Sequence, residues 1–91
     1  MKILVISKNR ADNKRMTSHF SGGETTVVGF QTKSIKTSTI SAEFIGPRIE
    51  AFLGHNPDLI LCSKLLQDGP ELLLQELKIR TLVKDALIVW I

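Results

Sequence analysis

The side chains able to do chemistry fall in four short stretches. Ser7-Lys8-Asn9-Arg10, Gln31-Thr32, Ser63-Lys64 and Ile91 each close an apolar or β-branched run. In small α/β domains, ligands bind where such strands end. The chemistry on offer is sparse: serine hydroxyls, amides and cations, with no paired carboxylates for acid–base work. No histidine sits beside a serine or cysteine to activate it, so Ser63 lacks what a nucleophile needs. His19 and His55 lie far apart in sequence and read as surface or capping residues near helix ends. The ligands that a metal would require beside them are missing. Gly22-Gly23 precedes a strand, the reverse of the order in a dinucleotide-binding turn. The sequence therefore reads as non-enzymatic, with no cofactor and no metal.

The elements that position these residues follow from hydrophobic pattern. Lys2 to Ser7 and Leu59 to Cys62 are apolar without alternation, as in strands covered on both faces. Asn9 to Phe20 reads as a short helix capped by Asn9 or Asp12. Thr25 to Gln31 reads as a second strand, and the Ser/Thr-rich stretch 32–41 as a loop with extended character. Ala42 to Gly54 is expected to contain a helix, with Ile49, Phe52 and Leu53 on one face and Gly54 as terminator. Asp68-Gly69-Pro70-Glu71 signals a helix start, with Asp68 as cap. The helix runs to about Arg80, with Leu73 and Leu77 one turn apart. Ala86 to Ile91 is the last strand. Strands alternating with helices predict a parallel, doubly wound sheet with right-handed crossovers.

Ninety-one residues, 43% of them hydrophobic, make one small domain, residues 1–91. The single cysteine, Cys62, excludes an internal disulfide, fits a reducing, cytoplasmic compartment and reads as a small buried apolar residue. No run approaches the roughly 20 apolar residues of a membrane span, so no membrane insertion is expected. The net charge of +3 is uneven. Through Ile40 the bases are Lys2, Lys8, Arg10, Lys14, Arg15, Lys33 and Lys36, against Asp12 and Glu24. Such a basic half suits solubility, or an acidic partner such as nucleic acid.

Three stretches resemble the receiver domains of bacterial response regulators: Ile3-Leu4-Val5-Ile6-Ser7-Lys8-Asn9-Arg10, Pro57 to Ser63 with Leu66-Gln67-Asp68-Gly69-Pro70-Glu71-Leu72-Leu73, and Ala86 to Ile91. The resemblance spans essentially the whole chain. It implies a CheY-like, flavodoxin-like parallel sheet of strand order 2-1-3-4-5, here truncated after the fourth strand. It also implies a pocket from which the family's chemistry has gone. Ser7 and Lys8 stand where receivers carry an acidic pair for magnesium, Ser63 where they carry the phosphoacceptor aspartate, and Ile91 where a hydroxyl residue ends the fourth strand. The fifth-strand lysine has no counterpart. Ser7, Lys8 and Ser63 thus mark a degenerate phosphoacceptor pocket, with Lys8 placed to substitute for the metal's charge.

The resemblance implies an atypical receiver in signal transduction, working by protein–protein interaction or dimerisation. Similar domains stand at the N-terminus of ATPases that position pilus-assembly machinery and in transcription regulators. Leu87-Ile88-Val89-Trp90-Ile91 has no charge and no proline, and as an edge strand it would invite pairing with another chain. Burying Trp90 alone would contribute about 2–3 kcal/mol. Leu87, Val89, Trp90 and Ile91 are therefore the expected interface for a protein partner or homodimer, unless a following segment of a longer protein covers them. The alternative is a nucleic-acid-associated module using the basic N-terminal half.

Overall fold

The computed structural model describes residues 1–91. Its centre is strand β1 (Lys2–Ile6), in which Ile3, Leu4, Val5 and Ile6 are all buried. A strand apolar on both faces is stable only with neighbours on both edges and helices on both faces. The chain supplies these in the order α1 (Arg10–Thr17), β2 (Glu24–Val28), β3 (Gln31–Lys36), β4 (Ser41–Ile45), α2 (Ile49–Phe52), β5 (Leu59–Cys62), a 3-10 turn (Lys64–Leu66), α3 (Glu71–Lys84) and β6 (Leu87–Trp90). One six-stranded sheet results, in the order β2-β3-β4-β1-β5-β6. Strands β4, β1, β5 and β6 are parallel, with Ile6 opposite Ile45 on one side and Cys62 on the other. Strands β2 and β3 form an antiparallel ribbon on the edge of β4.

The fold is α/β, as expected, but the sheet is mixed rather than wholly parallel, and the second parallel strand is not Thr25 to Gln31. That segment breaks at Gly29 and Phe30, whose φ values of 58° and 64° give the paired left-handed residues of a tight hairpin turn. The chain then returns through β3, so the Ser/Thr-rich stretch is mostly strand. A turn closes it, with the Thr37 N–H donating to Ile40 O at 2.8 Å and the Ile40 N–H to Thr37 Oγ1 at 3.0 Å. The parallel neighbour of β1 is instead Ser41–Ile45, which overlaps the start of the stretch 42–54 expected to contain a helix. Gly46-Pro47 separates it from the helix-forming residues beyond, and the residue before a proline disfavours helix. Ala42 and Phe44 alternate into the core beside β1. Only the single turn Ile49–Phe52 remains helical.

Two cores flank the sheet. On one face Leu4, Ile6, Ile60 and Cys62 pack with Phe52, Leu66, Leu73 and Leu77 from α2, the 3-10 turn and α3. On the other, Ile3, Val5, Ile35, Ala42 and Phe44 meet Met16 of α1. Each fully buried large side chain here contributes roughly 1.5–3 kcal/mol. The helix start at 68–71 is real but differs in detail: Pro70, not Asp68, is the capping residue, and no side chain caps it. Helix α3 continues through Lys84, past Arg80, because Asp85 closes it in the left-handed conformation (φ 54°). No helix is long and apolar enough to cross a membrane.

Candidate functional site

The crossover from β4 to β5 passes β1, so strand order reverses beside β1, where α/β sheets open a crevice. Ser7 and Ser63 meet there. The Ser63 N–H donates to Ile6 O at 2.9 Å, and the Ser7 N–H donates to Ile45 O at 3.0 Å. Both serines are buried, at 3% and 0% exposure. Sequence alternation puts their side chains on the α1 face with Ile3, Val5, Leu59 and Leu61. The expected pair is thus brought together, but Lys8 is not part of it: its side chain is exposed, and only its backbone reaches inward.

The crevice is filled from α1. Asn9 caps the helix, its Oδ1 accepting from the Asp12 N–H at 2.9 Å. This fixes Asp12 one turn in, with its carboxylate buried. Asp12 Oδ2 accepts from the Lys8 N–H at 2.8 Å, and Oδ1 from Arg15 Nε at 2.8 Å. Arg15 Nη2 then donates to Ser63 Oγ and to Ile91 O, both at 3.0 Å. Ser63 Oγ also accepts from the Leu65 N–H at 3.2 Å. Burial by itself would raise the Asp12 carboxyl. The Lys8 N–H, the Ser63 hydroxyl and the Arg15 guanidinium outweigh it and hold the group below its ordinary 3.8. Cys62, one residue before Ser63, goes the other way. Burial, with a further push from the charge of Asp12, raises its thiol to about 12, so it stays a neutral apolar residue at physiological pH.

Sequence reading missed Asp12, Asn13 and Arg15 as parts of this site. The signal present was local: Asn9 three residues before Asp12, and Asp12 three before Arg15, spacings that place side chains on one helix face. Asn13, also buried, ties α1 to the hairpin. Its Nδ2 donates to Thr32 O and its Oδ1 accepts from the Thr32 N–H, each at 3.0 Å, as a neighbouring strand would.

The expected interface divides. Leu87 and Val89 are 63% and 38% exposed on β6, which has one free edge among these residues. Trp90 and Ile91 are half-buried, Trp90 against the α3 core and Ile91 against the α1 core. Helix α3 leaves Leu72, Ile79, Leu82 and Val83 more than half exposed, and of these only Leu82 shares a groove with Ile88 and Trp90 of β6. The basic N-terminal half forms no single patch. Lys2 and Lys36 both flank Ser41 at one end of the sheet, whereas Lys8 and Arg10 lie at the other. No protein-family model, curated protein or solved structure matches this chain.

Proposed function

We propose that this chain is a non-enzymatic regulatory or scaffolding domain of the receiver type, acting through protein–protein contacts on β6 and α3. The carrying observation is the state of the crevice. Its buried carboxylate is engaged by the Lys8 N–H and Arg15, and Ser63 Oγ accepts two hydrogen bonds. A hydroxyl so occupied is a poor nucleophile, and a carboxylate so paired is a poor metal ligand. The parallel order β4-β1-β5-β6 supports the receiver reading, since it corresponds to strands 2-1-3-4 of that family with the β2–β3 ribbon as an addition between α1 and β4. In this reading Arg15 replaces the absent metal charge, a role expected of Lys8. The domain would be cytoplasmic and would position a larger assembly, such as a localisation ATPase or a transcription regulator.

Leu87 and Val89 alternate with Ile88 and Trp90 and so face away from α3, and together with the free edge of β6 they make a surface of the kind that closes on a partner strand. Light scattering after size exclusion, from low to high micromolar concentration, is expected to show self-association that Val89→Lys abolishes. A strict monomer that also captures no partner chain counts against the reading. Acetyl phosphate with magnesium is expected to leave the intact mass unchanged, whereas a phosphoryl adduct on Ser63 or Asp12 refutes it. A mobility shift of DNA or RNA, falling steeply with salt, would instead establish a nucleic-acid module.

A further inference from the structure

A second feature lies on the opposite side of β1 from the filled crevice. The β1–α1 turn, with Gly46-Pro47 after β4, encloses a cavity of about 170 Å³. Ser7 lines it from below. Its Oγ is buried without any hydrogen-bond partner, the one such side-chain atom in the molecule. A buried hydroxyl left unpaired is costly, and its presence points to a ligand that supplies the partner.

The rest of the cavity has one electrostatic sign. Helix α1 opens onto it, and its first two backbone N–H groups, those of Arg10 and Ala11, find no acceptor in the protein. The next two are already used, the Asp12 N–H by Asn9 Oδ1 and the Asn13 N–H by Asn9 O. The Asn13 amide is spent on Thr32. The lining includes Lys8 and Arg10 and no carboxylate. Asp12, the nearest acid in sequence, turns its oxygens to the Lys8 N–H and Arg15. Free N–H groups at a helix start, the positive end of the helix dipole, two cations and a waiting hydroxyl are the elements of an oxyanion site.

We infer that this cavity binds a tetrahedral oxyanion, phosphate or the phosphate group of a small phosphomonoester. Ser7 Oγ–H and the Arg10 and Ala11 N–H groups donate to its oxygens, and Lys8 and Arg10 balance its charge. The site is independent of the β6 surface, so either can fail without the other.

The test is a titration of the ¹⁵N-labelled chain with sodium phosphate at constant ionic strength, against chloride as the reference salt. Saturable amide shifts are expected at Ser7, Arg10 and Ala11, without magnesium. Ser7→Ala breaks no hydrogen bond and should keep the native spectrum while weakening phosphate binding about five-fold. Arg10→Gln should weaken it comparably, and Lys64→Gln, beyond the crevice, should change it less than two-fold. Phosphoserine and ribose 5-phosphate form the second arm. Tighter binding of either identifies a phosphomonoester as the ligand, and equal or weaker binding identifies free phosphate. Non-saturating shifts spread over Lys2 and Lys36 overturn the inference, as does a Ser7→Ala chain that titrates like the parent.

Discussion

Replacing Arg15 by leucine tests the crevice network most directly. The substitution keeps an aliphatic stem on α1 and deletes the hydrogen bonds to Asp12 Oδ1, Ser63 Oγ and Ile91 O, with a weaker one to Met16 Sδ. It leaves a carboxylate whose side chain is only 1% exposed without its cation. Breaking a fully buried ion pair costs about 3–5 kcal/mol. Arg15 itself is 35% exposed, so water can reach the vacated side and the cost is discounted to about 2–3 kcal/mol. For a domain of this size that is a fall in Tm of roughly 10–20 °C. Urea unfolding followed by circular dichroism measures it. The pH dependence is the sharper readout. Asp12 titrates below its unfolded value in the folded chain. Its contribution is therefore complete above about pH 5 and is lost as pH falls through the lowered folded value. The penalty of Arg15→Leu should shrink in step, and in an Asp12→Asn background it should fall to about 1 kcal/mol, the worth of the remaining neutral hydrogen bonds. A penalty of the same size in both backgrounds, unchanged from neutral pH to about pH 2.5, would refute the network as an electrostatic unit.

Asn13→Leu removes both hydrogen bonds to Thr32 and should cost about 2–3 kcal/mol by urea unfolding, with exchange of the β2–β3 amides accelerating before that of β1. Phe30→Gly should stabilise the fold by about 0.5–1 kcal/mol. The ring is 92% exposed and its left-handed backbone costs about 1–2 kcal/mol, partly offset by the freedom glycine gains on unfolding; destabilisation would reveal packing that the exposure denies. The Cys62 thiol, buried and raised to about 12, should react with a thiol reagent at neutral pH only as fast as the chain opens, so labelling that outpaces exchange of the β5 amides would contradict its burial.

Much of the fold was legible in strands covered on both sides. Ile3–Ile6 and Leu59–Cys62 announce themselves because burial on two faces leaves no room for polar residues. The start of α1 was legible too, with Asn9 or Asp12 as the cap and Asn9 the one that serves, since capping is local. Ser41–Ile45 escaped notice because five residues with one charge carry too little alternation to outweigh the helical spacing of Ile49, Phe52 and Leu53. The hairpin was hidden by Phe30, a strand-forming side chain in a position that usually takes glycine or asparagine. The site itself divides along the same line. That Ser7 and Ser63 adjoin follows from two central strands. That Arg15 reaches Ser63 and Ile91, 48 and 76 residues away, depends on how α1 seats against the sheet, which no local pattern records.

The central position of β1 bears on how the chain assembles. The first strand made is the one that needs both neighbours, yet its partners β4 and β5 begin at Ser41 and Leu59. Long segments must therefore close before either ladder forms, and such non-local closure places folding in the millisecond-to-second range rather than the microseconds of helical bundles. Throughout that interval the sticky segment Ile3–Ile6 waits uncovered, and a nascent chain would be most prone to aggregate before β5 arrives.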